Sequence, residues 1–368
     1  MNIYIKLMFT LFLLTGCSQT QYAVKESGQK YTQIQGGSSS FVAKKQETKQ
    51  TFSQLFKEDT PSISIGIVFP SHTIKRYALE ATNSISTYLI NKNQKFDLKV
   101  YDIVVQNKKN ILTVVEKLRN DNINKVIAMI TKEDLKHLNN ISGIKEMTFY
   151  LPLINKDDIL NKNEINELNV VFGAISYKDQ FKKLLEYVQD KPIVEFYGNS
   201  GIGSTLHTYL KDTPKVYTKK INDDNGRYKT FLENNSRLNN SAVILNTPIV
   251  KSSILLSAIN AEEINISTIM STQLNYTPLL FSLTQVADRK KLIVANSIGN
   301  IPDELEEYNY LIGNDLNYSW VNYSTIVGIE YLLNNNINRF KDLSIQNNQV
   351  VYPVNLYKVG KHSFSLIK

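Results

Sequence analysis

The chain has 368 residues, 42% of them hydrophobic and 21% charged, with a formal net charge of +8 at pH 7. At about 150 residues per domain this length predicts two domains or lobes, and an apolar fraction near the globular average excludes disorder throughout. The 15 glycines and 9 prolines exclude collagen-like and low-complexity material. The basic surplus is scattered, with no Lys/Arg stripe and interleaved aromatics, so no nucleic-acid groove is expected.

The chain opens with Lys6, the apolar run Leu7–Leu14, and then Thr15-Gly16-Cys17. That run is far short of the roughly 20 residues that span a bilayer. A positive start, a short apolar core and a small residue before the cut describe a secretory signal over residues 1–16. Leu14-Thr15-Gly16-Cys17 resembles the lipobox of bacterial lipoproteins, which implies cleavage before Cys17 and acylation, palmitate included, at its sulfur and new amino terminus. Cys17 is the only cysteine, and Ser18 after it is similar to an outer-membrane sorting signal. Residues 17–60 are rich in Gln, Ser, Thr, Gly and Lys and lack apolar periodicity. They predict a flexible tether with a reach of roughly 35 Å. No later run of 18 or more apolar residues follows, so the lipid is the expected membrane contact and the periplasm the expected location.

After Pro61 two periods alternate. Strand 63–69 leads to a helix over 73–90, where Ile74, Ala78, Ala81, Ile85 and Leu89 recur at helical spacing. Strand 97–105, helix 111–119, strand 125–130, a short helix at 132–138 and strand 147–151 follow. A second round runs through strand 169–172, helix 177–188, strand 192–197, helix 204–210, strand 215–219, helix 227–238, strand 242–245 and helix 250–259. Strand 291–295 and a long helix over 318–333, ended by Asn334-Asn335-Asn336, come next. Residues 350–359 and 363–367 are expected to close the chain as a hairpin around Gly360-Lys361. Strands separated by helices indicate βαβ units and parallel sheets.

The opening strand Ile65-Gly66-Ile67-Val68-Phe69-Pro70 with its long helix, the strand ending Val100-Tyr101-Asp102, and Phe196-Tyr197-Gly198-Asn199-Ser200-Gly201-Ile202-Gly203 before a helix resemble type I periplasmic-binding-fold proteins. The resemblance covers residues 61–368 and implies an α/β fold of two doubly wound parallel-sheet lobes joined by three crossovers. Lobe 1 is expected over 61–168 and 290–345, and lobe 2 over 169–289 and 346–368. Two branches of that fold fit: branched-chain amino-acid-binding proteins, and the carboxy-terminal domain of the lipoprotein that activates a peptidoglycan synthase. The amino-acid binders hold a ligand carboxylate on a Gly and Ser/Thr turn after the third strand. Here that turn reads Thr131-Lys132-Glu133-Asp134, without glycine.

In open α/β sheets ligands bind outside the carboxyl ends of strands. This rule singles out Ser71, His72, Thr131, Lys132, Asn155, Asn199 and Thr247, with Tyr177 as a wall beside the first crossover. An enzyme is not expected. His72, His137, His207 and His362 are scattered, and no cysteine pairs with any of them for zinc. Ser142-Gly143-Ile144-Lys145 lacks the companion motifs of a Ser-x-x-Lys site. Gly198, Gly201 and Gly203 have the wrong spacing for a dinucleotide loop. Asp223-Asp224-Asn225-Gly226 lacks the rest of a calcium loop. No cofactor or metal is expected. Asn265 and Asn317 match the extended acceptor sequence of bacterial periplasmic N-glycosylation. The expectation is a non-catalytic, lipid-anchored binding module that engages an envelope protein, such as a peptidoglycan synthase or an envelope assembly. The alternative is a solute-binding protein of an ABC transporter for an amino acid or small polar ligand, with Lys132 or Thr131 replacing the usual turn.

Overall fold

The computed structural model describes residues 62–105, 107–139, 141–159, 168–221, 228, 232–233 and 235–368. The signal, Cys17 and the tether lie outside these residues, as do Asp223–Gly226 and part of the helix expected over 227–238.

The strands in chain order are β1 (Ile63–Phe69), β2 (Phe96–Asp102), β3 (Lys125–Ala128), β4 (Thr148–Leu151), β5 (Asn169–Phe172), β6 (Ile193–Gly198) and β7 (Val216–Ile221). They continue with β8 (Ala242–Asn246), β9 (Thr268–Ser271), β10 (Leu292–Asn296), β11 (Ser344–Gln346), β12 (Gln349–Val351), β13 (Asn355–Val359) and β14 (Phe364–Leu366). The helices are α1 (Ser71–Asn91), α2 (Lys108–Asn120), α3 (Lys132–Leu138), α4 (Tyr177–Val188), α5 (Gly201–Leu210), α6 (Ile249–Ala261), α7 (Leu279–Leu283), α8 (Asp303–Leu311) and α9 (Trp320–Asn334).

Two sheets form, in the orders β11-β12-β5-β4-β3-β1-β2 and β14-β13-β10-β9-β8-β6-β7. The parallel core of the second repeats that of the first, strand for strand, and each sheet ends in an antiparallel edge made by the chain's last segments. The strands read as near-continuous apolar runs because both faces of each sheet are covered. On one face of the first sheet α1 packs with α8 and α9, and α2 and α3 pack together within the other apolar layer. Two further apolar layers flank the second sheet.

Several expectations are corrected. Strand β5 pairs with β4 along Thr148–Leu151 and belongs to the first sheet, although the sequence put it at the start of lobe 2. Strand β10 pairs with β9 and belongs to the second sheet, not to lobe 1. Residues 350–359 are not one strand. Gln349 pairs with Phe172 in the first sheet, while Asn355 pairs with Asn296 in the second. Pro353 lies between them, and a residue without an N–H ends a ladder. The chain therefore changes sheet after Phe172, Asn296 and Val351, several residues later than the expected 168, 290 and 345. Strand β2 stops at Asp102 instead of Val105, since Asp102 Oδ1 accepts the N–H groups of Ser71 (2.9 Å) and Val104 (2.7 Å). Helix α5 starts at Gly201, three residues early, because Ser200 Oγ accepts from Gly203 N–H at 3.1 Å.

Candidate functional site

The three crossovers meet the end of the first sheet around the ring of Tyr150. Gly173 in the first crossover gives its carbonyl to Tyr352 Oη (2.6 Å), from the third crossover, and to Ser324 Oγ of α9 (2.8 Å). The Tyr150 ring lies where a Cβ on Gly173 or Gly328 would stand, so both positions require glycine by contact. Gly299 in the second crossover packs on the Tyr323 hydroxyl. Burial pushes the Tyr150, Tyr323 and Tyr352 phenols above their ordinary value, so they act here as neutral groups.

The expected strand-end residues do not converge on one site. Thr131 is the N-cap of α3: its N–H and hydroxyl both donate to Asp134 Oδ2, at 3.1 and 3.2 Å. The chain's own carboxylate thus occupies the turn after the third strand. Burial raises the Asp134 carboxyl against the lowering effect of these bonds. Lys132 is exposed. Asn155 caps the following turn through Asp157 N–H (3.0 Å) and donates to Ala174 O (3.1 Å). Thr247 is fully buried, bonded to Ser252 Oγ at 2.8 Å within a polar knot that includes Asn275 and Ser271. Ser71 is fastened to Asp102 through its main chain, while His72 and Asn199 are exposed. Only Tyr177 of the eight lines a cleft between the lobes.

That cleft has a volume of about 520 Å³. Lobe 1 contributes Tyr77 and Glu80 of α1 and the segment 313–322, which leads into α9; lobe 2 contributes Tyr177, Ile202 and residues 273–277 after β9. Trp320, the only tryptophan in the chain, forms part of the wall with Tyr177, Tyr276 and Tyr318. Tyr276 stands 5.3 Å from Tyr318 and 4.4 Å from Phe364, ring centre to ring centre, so aromatic contacts bridge the lobes. Burial lifts the phenols of Tyr177, Tyr276 and Tyr318. Tyr209 of α5 donates across to the Asp158 carboxylate of lobe 1.

Two buried amides belong to the wall of this cleft, and neighbouring hydrogen bonds fix the orientation of each. In lobe 1 Asn309 Nδ2 donates to Leu305 O, Asn314 Nδ2 to Asn309 Oδ1 (2.7 Å), and Asn322 Nδ2 to Asn314 Oδ1 (3.0 Å) and Asp315 O (2.9 Å). The relay starts at a main-chain carbonyl and finishes at Asn322 Oδ1, which has no partner. In lobe 2 Gln273 Oε1 accepts from Ser297 N–H at 2.7 Å, while its own N–H donates to Gln180 Oε1 at 2.8 Å. Its Nε2 therefore carries two unpartnered donors.

Other features are structural. His207 Nδ1 lies 2.8 Å from buried Glu195 Oε2 and the ring stacks on Tyr197 at 4.0 Å, tying α5 to β6. Gly143 takes a φ of +69° in the Ser142–Lys145 turn, a conformation that suits glycine. Asn265 and Asn317 are exposed, their side-chain nitrogens donating to Asn240 Oδ1 and Glu306 Oε1. Among the described residues no cluster of three or more His, Cys, Asp or Glu is placed to hold a metal, and no helix is long and apolar enough to cross a membrane.

Two covered parallel-core sheets, three crossovers and a cleft between them define a two-lobed α/β architecture. No family model matches the chain, and no curated protein matches its sequence. Solved structures do. The amino acid ABC transporter substrate-binding protein of Pseudomonas fluorescens Pf-5 aligns with a TM-score of 0.58 at 11% identity, over 84% of this chain and 95% of that one. The C-domain of LpoA from Haemophilus influenzae, a regulator of PBP1A, gives 0.56 at 10% identity over 83% and 100%. The leucine binding protein LivK of Thermotoga maritima gives 0.55 at 11% identity over 83% and 98%. The fold is the type I periplasmic-binding-protein fold, as the sequence resemblance implied. These neighbours are binding proteins and a regulator, not enzymes.

Proposed function

We propose that this chain is a non-catalytic lipoprotein of the bacterial envelope, acylated at Cys17 and held at the outer membrane, whose two-lobed body docks on a protein partner. The partner is an envelope protein of the peptidoglycan-synthase or assembly-scaffold kind. The observation that carries this reading is an apolar face on lobe 2. Helix α6 is apolar nearly all round and packs against α7. Val250 and Ile254 of α6, Leu279 and Leu283 of α7, and nearby Val286 are 41–57% exposed. Large apolar groups clustered in water mark interaction surfaces. The self-capped turn at Thr131 and Asp134 adds support, since it removes the anion grip of a solute receptor.

The test is thermal unfolding of the full chain in neutral amino acids and sugars. A ligand at 100 times its dissociation constant would add about 2.7 kcal/mol, or about 4 °C for a chain of this size. No shift is expected. A shift from one compound class would overturn the reading and make the protein a solute receptor.

A further inference from the structure

We propose that two copies of this chain join at the outer edge of β2, antiparallel about a two-fold axis, with the two copies of Leu98 opposite each other. An open sheet edge is a template for another strand unless something blunts it. The edges β11 and β14 are three residues long, blunted by their shortness. Edge β7 carries Lys219 and Lys220 in succession and no acidic residue, so a second copy would meet like charge. Edge β2 differs from all three: it runs for seven residues, Phe96–Asp102, with no strand beyond it among the described residues.

Hydrogen bonds fix which of its backbone groups face outward. Lys95 O accepts from Ile63 N–H at 3.0 Å, and Ile103 N–H donates to Phe69 O at 2.8 Å. The odd-numbered residues thus turn their N–H and C=O toward β1, and those of Phe96, Leu98 and Val100 point away from it. In an antiparallel pair these three become the residues that exchange both bonds. Charge then selects the register. Centring on Asp97 sets two carboxylates face to face, centring on Lys99 sets two ammonium groups, and centring on Val100 sets Leu98 against the Asp102 carboxylate. Centring on Leu98 places Asp97 opposite Lys99 twice, in the non-hydrogen-bonded pairs whose side chains come closest. On the other face it places Phe96 opposite Val100 twice and Leu98 opposite Leu98. Phe96 and Leu98 are only partly buried against the core and Val100 is 50% exposed, so pairing covers apolar surface that one copy leaves in water. Lys99 stands 3.8 Å from Asp97 and 3.4 Å from Asp121 of its own chain, yet its side chain stays 38% exposed for a further partner. Strand β2 belongs to lobe 1 and the α6–α7 face to lobe 2, so failure of this pairing would leave the docking reading in place.

The test is sedimentation equilibrium of the full chain carrying Cys17→Ser, so that no lipid contributes, from micromolar to submillimolar concentration. Salt at about 0.15 M, with a Debye length of about 8 Å, screens the net charge of +8 and leaves the contact pairs. A monomer–dimer equilibrium is expected. Asp97→Lys or Lys99→Asp alone sets like charges opposite and should weaken the dimer by about tenfold. The double reversal D97K/K99D restores opposite charges and should bring affinity back to within about threefold of the parent. Leu98→Pro removes an N–H that the chain's own sheet does not use, and should abolish the dimer with an unchanged far-UV spectrum. A monomer at every concentration, a dimer indifferent to the single reversals, no recovery in the double reversal, or a dimer that survives Leu98→Pro would each overturn the proposal.

Discussion

Gly328→Ala tests the packing that holds the crossovers. A Cβ at Gly328 would lie 2.3 Å from Tyr150 Cδ1 and 2.5 Å from Cε1. Carbon atoms settle at about 3.5–4.0 Å, so ring and helix would have to part by more than about 1 Å. The ring has little room to move: it is fully buried, and its hydroxyl end already lies where a Cβ on Gly173 would be, at 2.4 Å. Overpacking costs about 1–3 kcal/mol, and a ring held this closely belongs at the upper end. Alanine in a helix returns about 1 kcal/mol, leaving a net loss of about 2 kcal/mol. With about 2.1 cal/mol/K of unfolding entropy per residue over about 300 residues, the melting midpoint should fall by about 3 °C. Calorimetry or circular dichroism reads this directly. In a cycle with Tyr150→Leu, which vacates the space, the double variant should lose less than the two single losses combined. A midpoint at or above that of the wild type, or strict additivity, would refute the clamp.

Glu330 is buried within lobe 1, where it accepts the Tyr88 hydroxyl; burial raises its carboxyl pKa despite nearby Arg339. The folded state thus holds this proton more tightly than the unfolded one. The stability it contributes is complete below the ordinary value of 4.5 and is lost as pH rises through the raised folded value. Glu330→Gln should flatten that fall and be at least as stable at neutral pH in urea unfolding; a destabilised variant would contradict the assignment. Asp134→Ala removes the capping box of α3 and should cost about 1 kcal/mol, seen as a lower urea midpoint; no change would mean the cap is idle. Cys17→Ser should abolish labelled palmitate incorporation and release the protein from membranes into the soluble fraction, whereas unchanged fractionation would remove the lipid anchor from the account.

The regular parts of the fold were legible because their signals are local. Tyr177–Val188 and Asn169–Phe172 have the expected bounds, and the final hairpin forms between β13 and β14. Strand β9 was invisible: four residues, Thr268–Ser271, bracketed by polar neighbours, become a strand only because β8 and β10 flank them. The sheet changes were misplaced for the same reason, since a strand's sheet is decided by distant partners. The site was less legible. Short polar residues at strand ends follow a sound rule, yet Thr131, Asn155 and Thr247 serve their own backbone or their own polar knot. The buried unpaired amide atoms in the cleft wall belong to Gln273 and Asn322, and which end of each amide lacks a partner depends on Ser297 and Asn314. The one available pointer was the lone Trp320, placed just after a Ser N-cap at the mouth of a long helix.

The docking claim is tested most directly in growing cells, by placing a photocrosslinking residue at Ile254 or Leu283 in the full-length protein, with Leu112 on α2 of lobe 1 as the control. The account predicts one discrete adduct with the same envelope protein from both lobe 2 positions and none from Leu112. An adduct with a transporter permease, or equal labelling from all three positions, would contradict it.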